Sequence, residues 1–89
     1  MDERRRHPRN PVSWPARLWI DEESLVICAT KDISVFGLCL ATAPTAAVKV
    51  GRSYRVDVLA EGNGHRTFQG AVRRIDEHGI GLASDRPLL

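Results

Sequence analysis

The chain has 89 residues, 43% hydrophobic and 27% charged, with a formal net charge of +2. A chain this small buries only about 60% of the surface its unfolded form exposes, enough for one core but not for a second domain or a deep catalytic cleft. Its excess positive charge lies in residues 1–10, where Arg4, Arg5, Arg6 and Arg9 meet only Asp2 and Glu3, whereas residues 11–89 carry nine basic and nine acidic side chains.

Taken in chain order, the arm comes first. Arg5-x-x-x-Arg9 lies within Arg4-Arg-Arg-His-Pro-Arg9. A guanidinium fork donates two parallel hydrogen bonds to phosphate and stays charged at any physiological pH. The same fork spans O6 and N7 of guanine, and its flat face stacks on a base. Pro8 pushes His7 toward an extended conformation, so the arm is expected to be extended rather than helical. By composition alone, a solvated basic tail accounts for it equally well.

From Val12 to Ile20, the residues Val12, Trp14, Ala16, Leu18 and Ile20 share one face and Ser13, Pro15, Arg17 and Trp19 the other, the period of a half-buried strand. Pro15 cannot donate to a ladder, which points to an edge position or a bulge. Asp21-Glu-Glu-Ser24 makes a polar hairpin connection to a second strand, Leu25 to Lys31. Asp32-Ile-Ser34-Val-Phe-Gly37 then leads into a third strand, Gly37 to Ala41. Asp and Ser side chains stabilise such turns, and Gly37 permits a positive φ or a close backbone approach. An ionised Asp32 can also accept from the N1–H and amine of guanine. Alone, the segment reads equally as an ordinary turn.

Thr42 to Val50 is a loop or a brief helical turn. Tyr54, Val56 and Val58 alternate with Arg55 and Asp57 in a fourth strand, whose exposed charges can pair on one face. Glu61-Gly-Asn-Gly64 is a turn signal. Arg66 to Ile75 is a fifth strand whose inward pattern slips between Val72 and Ile75, across Arg73-Arg74, and a β-bulge reconciles the two parities. Asp76-Glu-His-Gly79 turns the chain into a sixth strand, Ile80-Gly-Leu82. The fold expected is all-β, a small six-stranded antiparallel barrel with a flexible N-terminal arm. One domain divides into the arm at 1–11, the barrel at 12–83 and a short tail at 84–89.

Cys28 and Cys39 sit in apolar runs and read as buried thiols, and His7, His65 and His78 lack metal-ligand spacing. No apolar run nears the roughly 18 residues of a membrane span, and nothing resembles a signal peptide. The chain therefore reads as soluble and cytoplasmic. No nucleophile and base pair or P-loop can be assembled, so an enzyme is not expected.

An RxxxR arm followed by DxSxxG between the second and third strands resembles the PilZ family of cyclic di-GMP receptors. The resemblance runs through Pro11-Val-Ser-Trp-Pro-Ala-Arg17, Gly37-Leu-Cys-Leu40, Gly70-Ala-Val-Arg-Arg74 and Gly79-Ile-Gly-Leu82. It implies that Arg5 and Arg9 hold the phosphates and meet guanine, that Asp32 and Ser34 contact the guanine edge, and that Gly37 shapes the turn. Arg4 is a weaker candidate; in similar proteins a basic residue there can favour an intercalated ligand dimer. The ligand implied is cyclic di-GMP, which is not a catalytic cofactor. Neutralising the arginines would order the arm on the barrel and present a new surface to a downstream protein partner of unknown identity. Many members add a C-terminal helix, where this chain has Ala83-Ser-Asp-Arg-Pro-Leu-Leu89. Two readings from other classes compete. One is non-specific single-stranded nucleic-acid binding, with Trp14, Trp19, Tyr54 and Phe68 as stacking platforms. The other is a degenerate interaction module that no longer binds nucleotide. Against the former, a nucleic-acid binder spreads its basic residues over a face, and this body is neutral.

Overall fold

The computed structural model describes residues 9–42, 45–60 and 64–88. Among the described residues there are seven strands: β1 (Asn10–Pro11), β2 (Pro15–Trp19), β3 (Leu25–Ile33), β4 (Gly37–Ala41), β5 (Ser53–Ala60), β6 (Gly64–Asp76) and β7 (Gly79–Ser84). All pairings are antiparallel, in the order β3-β2-β5-β6-β7-β4, and β4 pairs back onto β3 to close the barrel. β1 is the addition to the six expected strands, laid along β3 with Pro11 opposite Asp32. Closure removes most of the free edges that an open sheet exposes.

Alternation decides what fills the interior. Ala16 and Leu18 from β2, Leu38 and Leu40 from β4, Val56 and Val58 from β5, and Phe68 and Val72 from β6 are all buried. Ile80 and Leu82 complete the core from β7, and Leu88 reaches it from the segment beyond. Trp14, Val12 and Ile20 pack against this core from its margin.

Pro15 is at neither an edge nor a bulge. β2 is internal, with β3 on one side and β5 on the other, and Pro15 is its first residue, where a missing donor is tolerated. Before it, a side chain supports the backbone: the Thr30 hydroxyl accepts from the Trp14 N–H (2.9 Å) and donates to the Val12 carbonyl (2.8 Å). Thr30 is 2% exposed, so both bonds act in a dry environment.

The expected bulge in β6 is present, with the register shifting between Val72 and Arg74 against β7. A second, unforeseen one shifts β3 against β4 between Thr30 and Asp32. Each inserts one residue, Lys31 or Arg73, and flips the parity of the residues after it. Ile33 thereby enters the core while Asp32 turns outward; Ile75 packs on the core while Arg74 turns outward.

Thr42 and Thr45 to Val50 form loop and turn, with Ala43 and Pro44 outside the described residues. Tyr54 tethers this stretch, its hydroxyl accepting from the Lys49 N–H (2.9 Å) and donating to the Ala47 carbonyl (3.4 Å). Residues 61–63 of the expected Glu61–Gly64 turn also lie outside the described residues. At the β6–β7 turn, Asp76 accepts the His78 N–H (2.7 Å), and Gly79 takes a φ of 136°. A Cβ on Gly79 would lie 2.1 Å from the Leu40 carbonyl oxygen, so only glycine fits between β4 and β7 there.

Candidate ligand groove

The Asp32–Gly37 segment joins β3 to β4 at the closing seam. The Ser34 N–H donates to the Gly37 carbonyl (2.8 Å), and the Ser34 hydroxyl reaches the same oxygen at 3.3 Å. Ser34 is 5% exposed, so its hydroxyl first serves the turn. Gly37 does not adopt a positive φ; of the two uses expected of it, the structure employs the close approach. Its α-carbon lies against β7, where an added Cβ would meet the Leu82 carbonyl at 3.1 Å. The end of β7 and the segment beyond it brace the turn. Ser84 N–H donates to the Phe36 carbonyl (2.8 Å) and Leu88 N–H to the Val35 carbonyl (2.6 Å).

Asp32, turned outward by the β3 bulge, receives Arg9 Nη1 at 2.5 Å. Both side chains are about one-third exposed (32% and 29%), so this is a charge-assisted bond at a wet margin. The arm's last arginine thus already reaches the turn motif. Arg4 and Arg5, and Arg6 with them, lie outside the described residues.

Arg9, Ser34, Phe36 and Gly37 form one wall of a shallow groove of about 220 Å³. Arg73, Arg74, Gly81, Leu82 and Ala83 form the other. Asp32 does not line the groove itself but holds Arg9, which does. The sequence alone gives the two arginines of β6 no role. The signal that could have found them was the parity slip, because a bulge next to a motif strand re-aims side chains. The groove carries three guanidinium groups, and Phe36, 44% exposed, supplies an aromatic surface at its edge. It suits a polyanion that also carries flat rings.

A larger groove of about 340 Å³ lies elsewhere, lined by Trp19, Ile20, Asp21, Glu22 and the start of β5. Its acidic rim repels phosphate. Beside it, Asp57 faces outward as expected but is covered, its side chain only 2% exposed. It accepts from the Trp19 indole (2.8 Å), the Thr67 hydroxyl (2.9 Å) and Arg55 Nε (3.2 Å). Arg55 also lies 5.1 Å from the Trp19 ring centroid. Burial pushes the Asp57 pKa up, but the bonds from Trp19, Thr67 and Arg55, with the Arg55 charge, outweigh it and leave the carboxyl below its ordinary 3.8. Trp19 is therefore a pinned lateral cover. Of the cysteines, Cys39 is buried but Cys28 only half-buried, and burial pushes the Cys28 thiol up to about 11. Among the described residues, no helix is long and apolar enough to cross a membrane.

A family model described as PilZ domain matches residues 3–87. No curated protein matches the chain. Among solved structures, the inhibitor of motility MotI/DgrA of Bacillus subtilis is similar at 21% identity and a TM-score of 0.75, covering 97% of this chain and 44% of that one. The PilZ domain of YcgR from Escherichia coli with c-di-GMP is similar at 20% identity and a TM-score of 0.68, covering 97% and 79%. YcgR of Escherichia coli in complex with c-di-GMP gives 20% identity and a TM-score of 0.72, covering 96% and 38%. This chain thus spans less than half the length of MotI and of the longer YcgR structure.

Proposed function

The chain belongs to the PilZ domain family, and from that premise we propose that it is a non-catalytic receptor for cyclic di-GMP. Arg5 and Arg9 hold the phosphates and meet guanine, Asp32 and Ser34 receive the guanine edge, and Gly37 sets the turn. Arg4 contributes to ligand stoichiometry. One observation carries this reading: Arg9, the last residue of the RxxxR motif, bonds Asp32 and lines one groove with Ser34 and Gly37 of the turn motif.

Two phosphates bring negative charge to a segment where like charges repel. Binding would clamp the arm against the barrel beside Asp32 and Ser34, and the surface so formed would be read by a protein partner. The domain division follows from this: residues 1–11 as ligand-binding arm, 12–83 as barrel and 84–89 as tail. The rival nucleic-acid reading loses support, since Tyr54 and Phe68 are core residues and Trp19 is pinned by Asp57. Stacking on successive bases needs exposed rings.

Titration calorimetry with cyclic di-GMP tests the reading, with GTP and single-stranded DNA as controls. Arg9→Ala is expected to cost about 2 kcal/mol or more as a binding hot spot, a weakening of about thirtyfold. Tight binding of the cyclic dinucleotide with inert controls supports the receptor. Unchanged affinity in both Arg9→Ala and Arg5→Ala sinks the site assignment.

A further inference from the structure

Two irregularities of the barrel fall on one row of the sheet. In register, Asp32 of β3 pairs with Cys39 of β4, Cys39 with Gly81 of β7, and Gly81 with Arg74 of β6. Both bulges lie at the ends of this row, one between Thr30 and Asp32, the other between Val72 and Arg74. Without them strand alternation would turn Asp32 and Arg74 inward. With them, an acid and a base face outward at the two ends of a floor made by Cys39 and Gly81.

The floor is shaped to receive the base. Gly81 has no side chain, and a Cβ there would lie 3.2 Å from Arg74 Cγ and 3.5 Å from Cζ, so the arginine stem lies across the glycine. Its Nη2 reaches the Cys39 sulfur at 3.9 Å and its Nε the Asp76 carboxylate at 3.2 Å. Of five N–H donors on a guanidinium, most remain available, and the side chain is 56% exposed. Three strand spacings of about 4.8 Å separate the Asp32 and Arg74 backbones by roughly 14 Å. A purine hydrogen-bonded by long side chains along two of its edges fits such a span.

We infer that Arg74 is a specificity-determining residue that reads the O6/N7 edge of guanine while Asp32 takes the N1–H and amine edge. This rests on the cyclic di-GMP reading above and extends its site to β6. The chemistry is directional. Guanine offers two acceptors at O6 and N7, which match an arginine fork, whereas adenine places an amino donor where O6 would be and matches an amide.

The test is calorimetry of the wild-type chain, Arg74→Ala and Arg74→Gln with cyclic di-GMP and cyclic di-AMP, with thermal melts to show that each variant folds. Arg74→Ala is expected to weaken cyclic di-GMP by about tenfold or more and to narrow its preference over cyclic di-AMP. Arg74→Gln is expected to move the preference further toward cyclic di-AMP. Binding by the wild type with affinity and preference unchanged in both variants overturns the Arg74 assignment and leaves the receptor reading standing. Equal loss for both ligands overturns guanine-edge reading, since Arg74 would then act on phosphate alone. A wild-type chain that binds neither ligand overturns both.

Discussion

Asp57 shows how a side chain on the outer face of a strand can still be buried. Its neighbours Val56 and Val58 point into the core, so Asp57 points away from it, yet Trp19, Thr67 and Arg55 cover it. Hydrogen bonds to a charged acceptor contribute about 1.5–3 kcal/mol each, less where partners are exposed. Replacing Asp57 with Asn should therefore cost about 2 kcal/mol at neutral pH, read by chemical denaturation. Its folded pKa lies below the unfolded value, so the carboxylate's contribution is complete above that ordinary value and is lost as pH falls through the depressed one. The wild type should lose this stability below about pH 4, and Asp57→Asn should show a flatter acid limb. An equally steep limb in both proteins would refute it. The pairing of Arg55 with Asp57 was legible from Tyr54-Arg-Val-Asp-Val58; the burial was not, because the rest of the cover, Trp19 and Thr67, comes from β2 and β6.

Strands and their irregularities were more readable. Gly37–Ala41 follows directly from its apolar run between a glycine and a Thr/Pro-rich stretch, and the β6 bulge follows from two core residues of opposite parity. The β3 bulge left no such trace, since Lys31 and Asp32 are both polar and either could face water. β1 was invisible for a different reason: two residues have no period, and only pairing with β3 defines them. For the candidate groove, the motif residues could be found in sequence, while Arg73 and Arg74 needed the folded barrel to bring them into one groove with Ser34 and Gly37. Gly79 is the element-scale test. Substituting alanine places Cβ against the Leu40 carbonyl and imposes a φ of 136° on a non-glycine residue. Gly79→Ala is expected to destabilise the fold by about 2 kcal/mol or more. A thermal midpoint unchanged from wild type would show that β4 and β7 can part there without cost.

At the scale of the whole molecule, charge is partitioned. The net +2 belongs to residues 1–10 and the remainder is balanced, while the groove adds Arg73 and Arg74 to Arg9. The Debye length falls from about 10 Å at 0.1 M salt to about 3 Å at 1 M. Affinity for cyclic di-GMP should therefore drop by about tenfold or more over that range, as measured by calorimetry. Stability should change little, because exposed ion pairs such as Arg74–Asp76 and Arg86–Asp85 are already screened by water and contribute little to it. Salt-insensitive affinity would argue against phosphate recognition by this arginine cluster.

β4 is the strand that makes the barrel a barrel, pairing Leu38 with Ile33 on one side and with Leu82 on the other. The first partner is a near neighbour in the chain; the second arrives only after β5, β6 and β7 have been laid down. Contacts between such distant segments carry the largest loop-closure entropy and form slowly. The floor between Cys39 and Gly81 does not exist until that last closure. A half-assembled chain therefore offers no groove, and any ligand of that groove would engage only molecules that have finished folding.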